Sequence, residues 1–416
     1  MGGAAGVGAA ESPASAAPSP NTWSPLAALP ERLDSPLFAL GGDPSDAQRV
    51  LVGTPAGNIY RSADGGATWK LVASRLGRGV LALAFDPFAA GVVLAGARTG
   101  GVWRSADGGA SWQKDPGTER RTARAFGFAR QMTVAGTDAG VLVNRGDGSW
   151  TPAGLGQVAV SAVTVATTAT DPQRLVVGGD TTRGTEPLPL FASTDDAQSW
   201  QQVEGAVGGS SMVSALAAGP AAAGSGTGSL LMGTNTGLYS SADSGADWQA
   251  VTGSGGLPAA DYTAVAFVAG DPQRFYVASD GGASPQGGLW STADGGTHFT
   301  SLSPPIASVT ALAVSAESQP VVYLATFRPI DHAVMLWAYR DAGGAAQQPA
   351  GGVPSPAGSG GSTSRLQAKP REAVTGPRWL MTLASGPEGP YLVLGLGAVV
   401  VLVLALVAYA RRTRDL

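Results

Sequence analysis

Apolar residues along this chain come in short runs separated by polar, Gly- and Pro-containing breaks. A representative stretch holds Leu81-Ala-Leu-Ala-Phe85, Val92-Val-Leu-Ala-Gly96 and Gly101-Val-Trp-Arg104, and Trp112 opens a fourth run. Runs this short, bounded by turn residues and lacking a 3.6-residue recurrence, predict strands rather than helices. The slot of the first run is filled again at Leu37–Leu40, Val163–Val165, Ala215–Ala217, Ala264–Phe267 and Ala311–Val314. Small residues suit that slot if it is the crowded inner edge of a radial arrangement.

The stretch between the third and fourth runs repeats. Arg61-Ser-Ala-Asp-Gly-Gly-Ala-Thr-Trp69 recurs as Arg104-Ser-Ala-Asp-Gly-Gly-Ala-Ser-Trp112. Looser copies end at Trp200, Trp248 and Phe299, and a contracted copy, Asn144-Arg-Gly-Asp-Gly-Ser-Trp150, lies between. The aromatic recurs about every 40 to 50 residues, the spacing of β-propeller blades. Three strands, a motif turn and a fourth strand make one antiparallel blade. The last repeat supplies Thr310–Val314, Val321–Ala325 and Met335–Tyr339 but no fourth strand. Thr22-Trp23 copies Thr68-Trp69, so residues 22–30 are expected to complete that blade. The reading is an all-β chain: a single seven-bladed β-propeller over residues 22–341, closed by an N-terminal strand, plus a C-terminal transmembrane helix.

The repeated turn resembles the Asp-box, or BNR repeat, with Asp64, Asp107, Asp147, Asp195, Asp243 and Asp294 as its acids. Its aromatics are Trp69, Trp112, Trp150, Trp200, Trp248 and Phe299. Aspartate at this place is expected to accept the buried amides of the turn, with glycine supplying positive φ. These residues are thus read as scaffold rather than chemistry. The resemblance implies kinship with sialidase-like glycanases, sortilin-like receptors and photosystem II assembly factor-like proteins. Sialidases of this kind carry a Phe/Tyr-Arg-Ile-Pro element before the first box. The nearest match here, Phe327-Arg-Pro-Ile330, is misordered and follows the last box. No Gly-x-Ser-x-Gly elbow is present.

In a propeller of this connectivity the motif turns share one face. Loops joining second to third strands, and those between blades, lie on the other. That other face is the candidate ligand face, carrying Arg75, Arg78, Arg98, Arg120, Arg121, Asp138, Arg183, Asp280, Arg328 and His332. Loops are solvated and carry charge in any case. An arginine-rich mouth would in addition suit an anionic or protein ligand.

Composition narrows the chemistry. The 416 residues include no cysteine and two histidines. Thiolate catalysis, disulfides and Cys-ligated metal are therefore excluded, and a histidine-built zinc site has too few ligands. No catalytic residue, cofactor or metal is assigned. A net charge of −4 gives no basic field for nucleic acid. Gly, at 61 residues, suits many tight turns.

The ends differ from the middle. Residues 1–21 and the Gly/Pro/Ser/Ala-rich stalk at 342–377 cannot bury a core. After a juxtamembrane segment at 378–390, residues 391–410 form an uncharged run long enough to span a bilayer, followed by a basic tail at 411–416. Arg411, Arg412 and Arg414 would stay in the cytoplasm, putting the propeller outside. Residues 1–21 show no export signal, which points to a start upstream of Met1; a tail-anchored protein facing the cytoplasm is the alternative. The leading expectation is a membrane-anchored, non-catalytic propeller binding a protein or glycan. The alternatives are a sialidase-type glycoside hydrolase and an assembly factor for a membrane complex.

Overall fold

The computed structural model describes residues 18–166, 174–180, 187–203, 210–220, 228–252, 257–258, 261–282 and 287–343. Within these, the strands form seven four-stranded antiparallel sheets. Blade 1 runs Ala39–Asp43, Asp46–Gly53, Ile59–Ser62 and Lys70–Ala73, and blade 2 runs Val80–Phe85, Val93–Ala97, Gly101–Ser105 and Gln113–Lys114. Blade 3 comprises Ala123–Ala129, Met132–Thr137, Gly140–Asn144 and Thr151–Pro152; blade 4 comprises Ala159–Ala166, Arg174–Asp180, Leu190–Ser193 and Gln201–Gln202. Blade 5 follows with Val213–Ala218, Leu230–Thr234, Leu238–Ser241 and Gln249–Ala250, and blade 6 with Ala264–Val268, Asp271–Ser279, Gly288–Thr292 and Thr300–Ser301. Blade 7 is built from Val309–Val314, Val321–Arg328 and Ala333–Arg340, with Trp23–Pro25 as its outer strand. First strands of neighbouring blades abut all round, blade 7 against blade 1 included. The chain is an all-β, seven-bladed β-propeller.

Burial follows position within a blade. Second strands such as Val93–Ala97 and Leu230–Thr234 are buried along their length, because neighbouring blades cover both of their faces. Outer strands such as Gln113–Lys114 are exposed and polar. The core is accordingly a set of layers between blades. One layer joins Leu40, Val50 and Tyr60 of blade 1 to Ala311, Tyr323 and Leu336 of blade 7. Burying this apolar area is the main stabilising term, roughly 25 cal/mol per Å².

The termini close the ring through blade 7. Trp23 pairs with Tyr339, Ser24 with Ala338 and Pro25 with Trp337. Trp23 is buried, rests against Tyr339 at 4.9 Å between ring centres, and donates its indole N–H to Leu302 O at 2.7 Å. The Asn21 side chain accepts from the Ala342 amide at 3.0 Å and donates to Gly343 O at 2.6 Å. The closing strand is shorter than the expected 22–30. Its ladder ends at Ala27, whose amide turns to Gly66 O and whose carbonyl accepts the Trp69 indole at 2.8 Å. The chain thus leaves blade 7 to join the turn of blade 1. The linker beyond Gly343 and the apolar run at 391–410 lie outside the described residues. Among the described residues no helix is long and apolar enough to cross a membrane.

Candidate functional site

The turn face is built from a hydroxyl first and a carboxylate second. In blade 2, buried Ser105 accepts the Gly109 amide at 2.9 Å and donates to Asp107 Oδ1 at 2.7 Å. The more exposed Asp107 accepts the amides of Ala110 and Ser111, both at 2.9 Å, and the Ser111 hydroxyl at 2.6 Å. Ser62 with Asp64, Ser193 with Asp195, Ser241 with Asp243 and Thr292 with Asp294 repeat this arrangement. The buried amide therefore goes to the Ser or Thr, correcting the expectation that gave it to the aspartate. The Ser or Thr two places before each of these five acids was the available signal. Two successive residues past the aspartate take positive φ, 67° at Gly108 and 84° at Gly109. Blade 4 imposes the same geometry on Asp196 and Ala197, at 57° and 64°.

These bonds set the charge of the turns. Burial works to raise the Asp107 carboxyl, but the Ser111 hydroxyl and amide and the Ser105 hydroxyl outweigh it, lowering it to about 2. The Ser199 hydroxyl and amide bring Asp195 to about 2. The His298 amide and ring hold Asp294 well below the ordinary carboxylate range.

The aromatics stitch each blade to the one before. Trp69 donates to Ala27 O and Trp200 to Ala153 O, both in the preceding blade's outer region. Trp150 donates instead to the Asp115 carboxylate at 2.8 Å, and Trp112 to Gly109 O within its own turn. Trp248 and Phe299 are buried at their seams, Phe299 edge-on to Phe275. The contracted turn departs from this scheme. Asp147 accepts the Ser149 amide and hydroxyl, and Asn144 Oδ1 accepts the Gly146 amide, so no buried hydroxyl joins the two ends. A cleft of about 160 Å³ lies at this blade 2–blade 3 seam. A larger one of about 850 Å³ lies between blades 6 and 7, where Asp341-Ala-Gly stands in place of a turn. There Asp341 binds Arg274 at 2.9 Å and accepts the Tyr276 hydroxyl.

The opposite face holds the candidate ligand residues, in two groups. The connection from blade 1 to blade 2, the second-to-third-strand turn of blade 2 and the connection to blade 3 are bonded edge to edge. Arg78 N donates to Arg98 O, Arg98 N to Gly79 O, Gly101 N to Arg121 O and Thr99 N to Thr122 Oγ1. This brings Arg75, Arg78, Arg98, Arg120 and Arg121 onto one continuous sector. Asp138 adjoins it, its carboxylate accepting the Thr122 amide at 2.9 Å. Arg75, Arg78, Arg98 and Arg120 are exposed and form no ion pair among the described residues. Arg121 donates to Ala139 O at 3.3 Å.

Asp280, Arg328 and His332 stand apart, on blades 6 and 7. Arg328 is held by Asp331 through two bonds of 2.9 and 2.7 Å, and His332 Nδ1 meets Asp34 O at 3.0 Å. Asp280 lies beside Asp261, whose carboxyl is raised first by burial and then by that neighbouring charge. These three do not extend the arginine sector. Arg183 lies outside the described residues.

The innermost strands carry neither Tyr nor Glu, and their charged residues are Asp43 and Arg124 at opposite strand ends. A clamp of three arginines beside a Tyr–Glu pair is not assembled on them. Among the described residues no group of three or more acidic or His side chains is placed to hold a metal.

The profile of the DUF6242 beta propeller domain matches residues 90–324. The chain belongs to this family. No curated protein sequence matches it. In three dimensions the DUF6242 propeller resembles the GH74 xyloglucanase from Xanthomonas campestris, with a TM-score of 0.56 at 18% identity over 77% of this chain and 53% of that one. It therefore spans about half the length of that enzyme. It also resembles YCF48 bound to D1 peptide, with a TM-score of 0.53 at 14% identity over 77% and 96% of the two chains. The WD40 beta propeller domain of Doa1 gives 0.55 at 11% identity over 76% and 97%. At such identities the likeness is one of fold.

Proposed function

We propose that this DUF6242 propeller is a non-catalytic binding module that grips an acidic stretch of a partner protein on the arginine sector of blades 1–3. The observation that carries this reading is the contiguity of Arg75, Arg78, Arg98 and Arg120, exposed and without ion pairs among the described residues. Charge gathered on one face of a chain with net charge −4 attracts the opposite sign at encounter and fixes its orientation. Propellers of this shape take peptides, as YCF48 bound to D1 peptide illustrates. In this reading the repeated turns are Asp-box turns with a scaffold role. Residues 391–410 tether the propeller to a membrane, with the arginines at 411–414 on the cytoplasmic side and the propeller outside. A tethered binder of acidic segments suits a receptor or an assembly factor for a membrane complex.

Poly-L-glutamate is a direct probe. The full chain in detergent should bind it with an affinity that falls as salt rises, because exposed charge pairs are screened within about 8 Å at physiological ionic strength. A chain carrying Arg75→Glu, Arg98→Glu and Arg120→Glu should lose the binding and keep its melting curve. Unaltered binding by that variant, or hydrolysis of a fluorogenic sialoside by the purified protein, would overturn the proposal.

A further inference from the structure

The blade 2–blade 3 seam differs from its neighbours in a way that specifies an occupant. At the blade 1–blade 2 seam, Arg61 Nε donates to Gly108 O at 2.9 Å. At the blade 3–blade 4 seam, Arg145 Nη2 donates to Asp196 O at 2.9 Å. Gly108 and Asp196 hold the same place, directly after the turn aspartate, so on both sides of the blade 2–blade 3 seam the full turn offers its backbone carbonyl to an arginine of the blade before. The turn also covers the preceding blade closely: a Cβ on Gly109 would come within 2.7 Å of Leu51.

Blade 2 carries the matching arginine, Arg104, in the position of Arg61. The contracted turn of blade 3 does not reach it. Cβ atoms on Gly146 and Gly148 would meet nothing within 4 Å. Arg104 is exposed and is attracted by the Asp115 carboxylate of its own blade, but it forms no hydrogen bond to blade 3 among the described residues. What remains is the cleft of about 160 Å³, with Leu94, Met132 and Trp150 at its apolar base and Arg104 and Arg130 at its edge. Asp86 and Asp115 also line it, so the cleft is balanced in charge. It suits a neutral segment and not a strongly acidic one.

We infer that this seam is a docking site for a small-residue turn of a partner polypeptide, which lends Arg104 the backbone carbonyl that blade 3 does not supply. The occupant is read from the chain's own full turns: a tight, Gly-containing loop with an outward carbonyl and no bulky side chain against Leu94 and Met132. The site is on the opposite face from the arginine sector and selects for shape and backbone rather than for charge, so the two can be engaged together. Its failure leaves the acidic-segment proposal intact.

The probe is a labelled cyclic peptide carrying Ser-Ala-Asp-Gly-Gly-Ala-Ser, the sequence of the blade 2 turn, titrated against the full chain by fluorescence polarisation. Saturable binding is expected, weakened about tenfold or more by Arg104→Ala, as loss of a hydrogen bond to a charged group implies. Arg98→Glu, on the other face, should leave it unchanged. Inserting one glycine between Asp147 and Gly148 restores the full turn length and should abolish binding while raising the melting temperature. If that insertion lowers the melting temperature, Arg104→Ala decides the matter. The inference is overturned by no saturable binding into the millimolar range, by equal binding to the Arg104→Ala chain, or by a loss as large in Arg98→Glu.

Discussion

The two faces of this ring are made from the same strands and do opposite things with their polar groups. On the turn face, Ser105 and Asp107 and their counterparts satisfy one another and the backbone, blade after blade. On the other face of blades 1–3, the backbone is equally well bonded but Arg75, Arg78, Arg98 and Arg120 end in solvent. The difference teaches where to look for function in a repeat protein. Repetition marks what every blade needs to stand against its neighbour. Charge that is concentrated in some blades and left unpaired marks what the ring as a whole presents to others.

If that division holds, substitutions in the ring's own joints should change stability, and substitutions in the arginine sector should change binding. The largest stability effect is expected at the ring closure. Trp23→Ala removes a buried indole, its contact with Tyr339 and its bond to Leu302 O. It should cost about 3–5 kcal/mol, measured by chemical denaturation. Next comes Ser105→Ala, which strands the buried Gly109 amide and should cost about 1–3 kcal/mol. Asp107→Ala should cost less, because its amide partners are exposed and turn to water. The reverse order would restore the aspartate as the hub.

Acid should act on the turn face in a defined window. Asp107 and Asp195 titrate at about 2 in the fold, below the ordinary aspartate value of 3.8. Their contribution is therefore fully present above pH 3.8 and lost as pH falls through 2. Thermal melts should show stability dropping across that interval, with a shallower drop in an Asp107→Asn, Asp195→Asn chain. The smallest stability effect belongs to the other face. Arg98→Glu should shift unfolding by no more than about 0.5 kcal/mol while weakening polyglutamate binding. A large stability loss there would dissolve the contrast between the faces.

Much of this architecture was legible in the chain because a turn motif with a fixed aromatic repeats at blade spacing. The closure through Trp23 was legible because Thr22-Trp23 copies Thr68-Trp69 and the last repeat lacks a strand. The length of that closing strand was not, since it depends on Ala27 finding Gly66 and Trp69 across the seam to blade 1. The serine hub is not legible in the chain because hydroxyls recur everywhere in such a sequence, and burial distinguishes Ser105 from its neighbours. The split of the candidate face depends on contacts between residues that the sequence pattern treats alike. Sequence places Arg98 and Arg328 in equivalent loops, while contact shows that Arg328 already has Asp331.

Hydrogen exchange of the polyglutamate-bound protein tests the arginine sector most directly. Amides of residues 75–79, 98–101 and 118–122 should gain protection on binding, with the turn face and the loops of blades 6 and 7 unchanged. Protection confined to the turn face, or to the segment around Arg328 and His332, would contradict it.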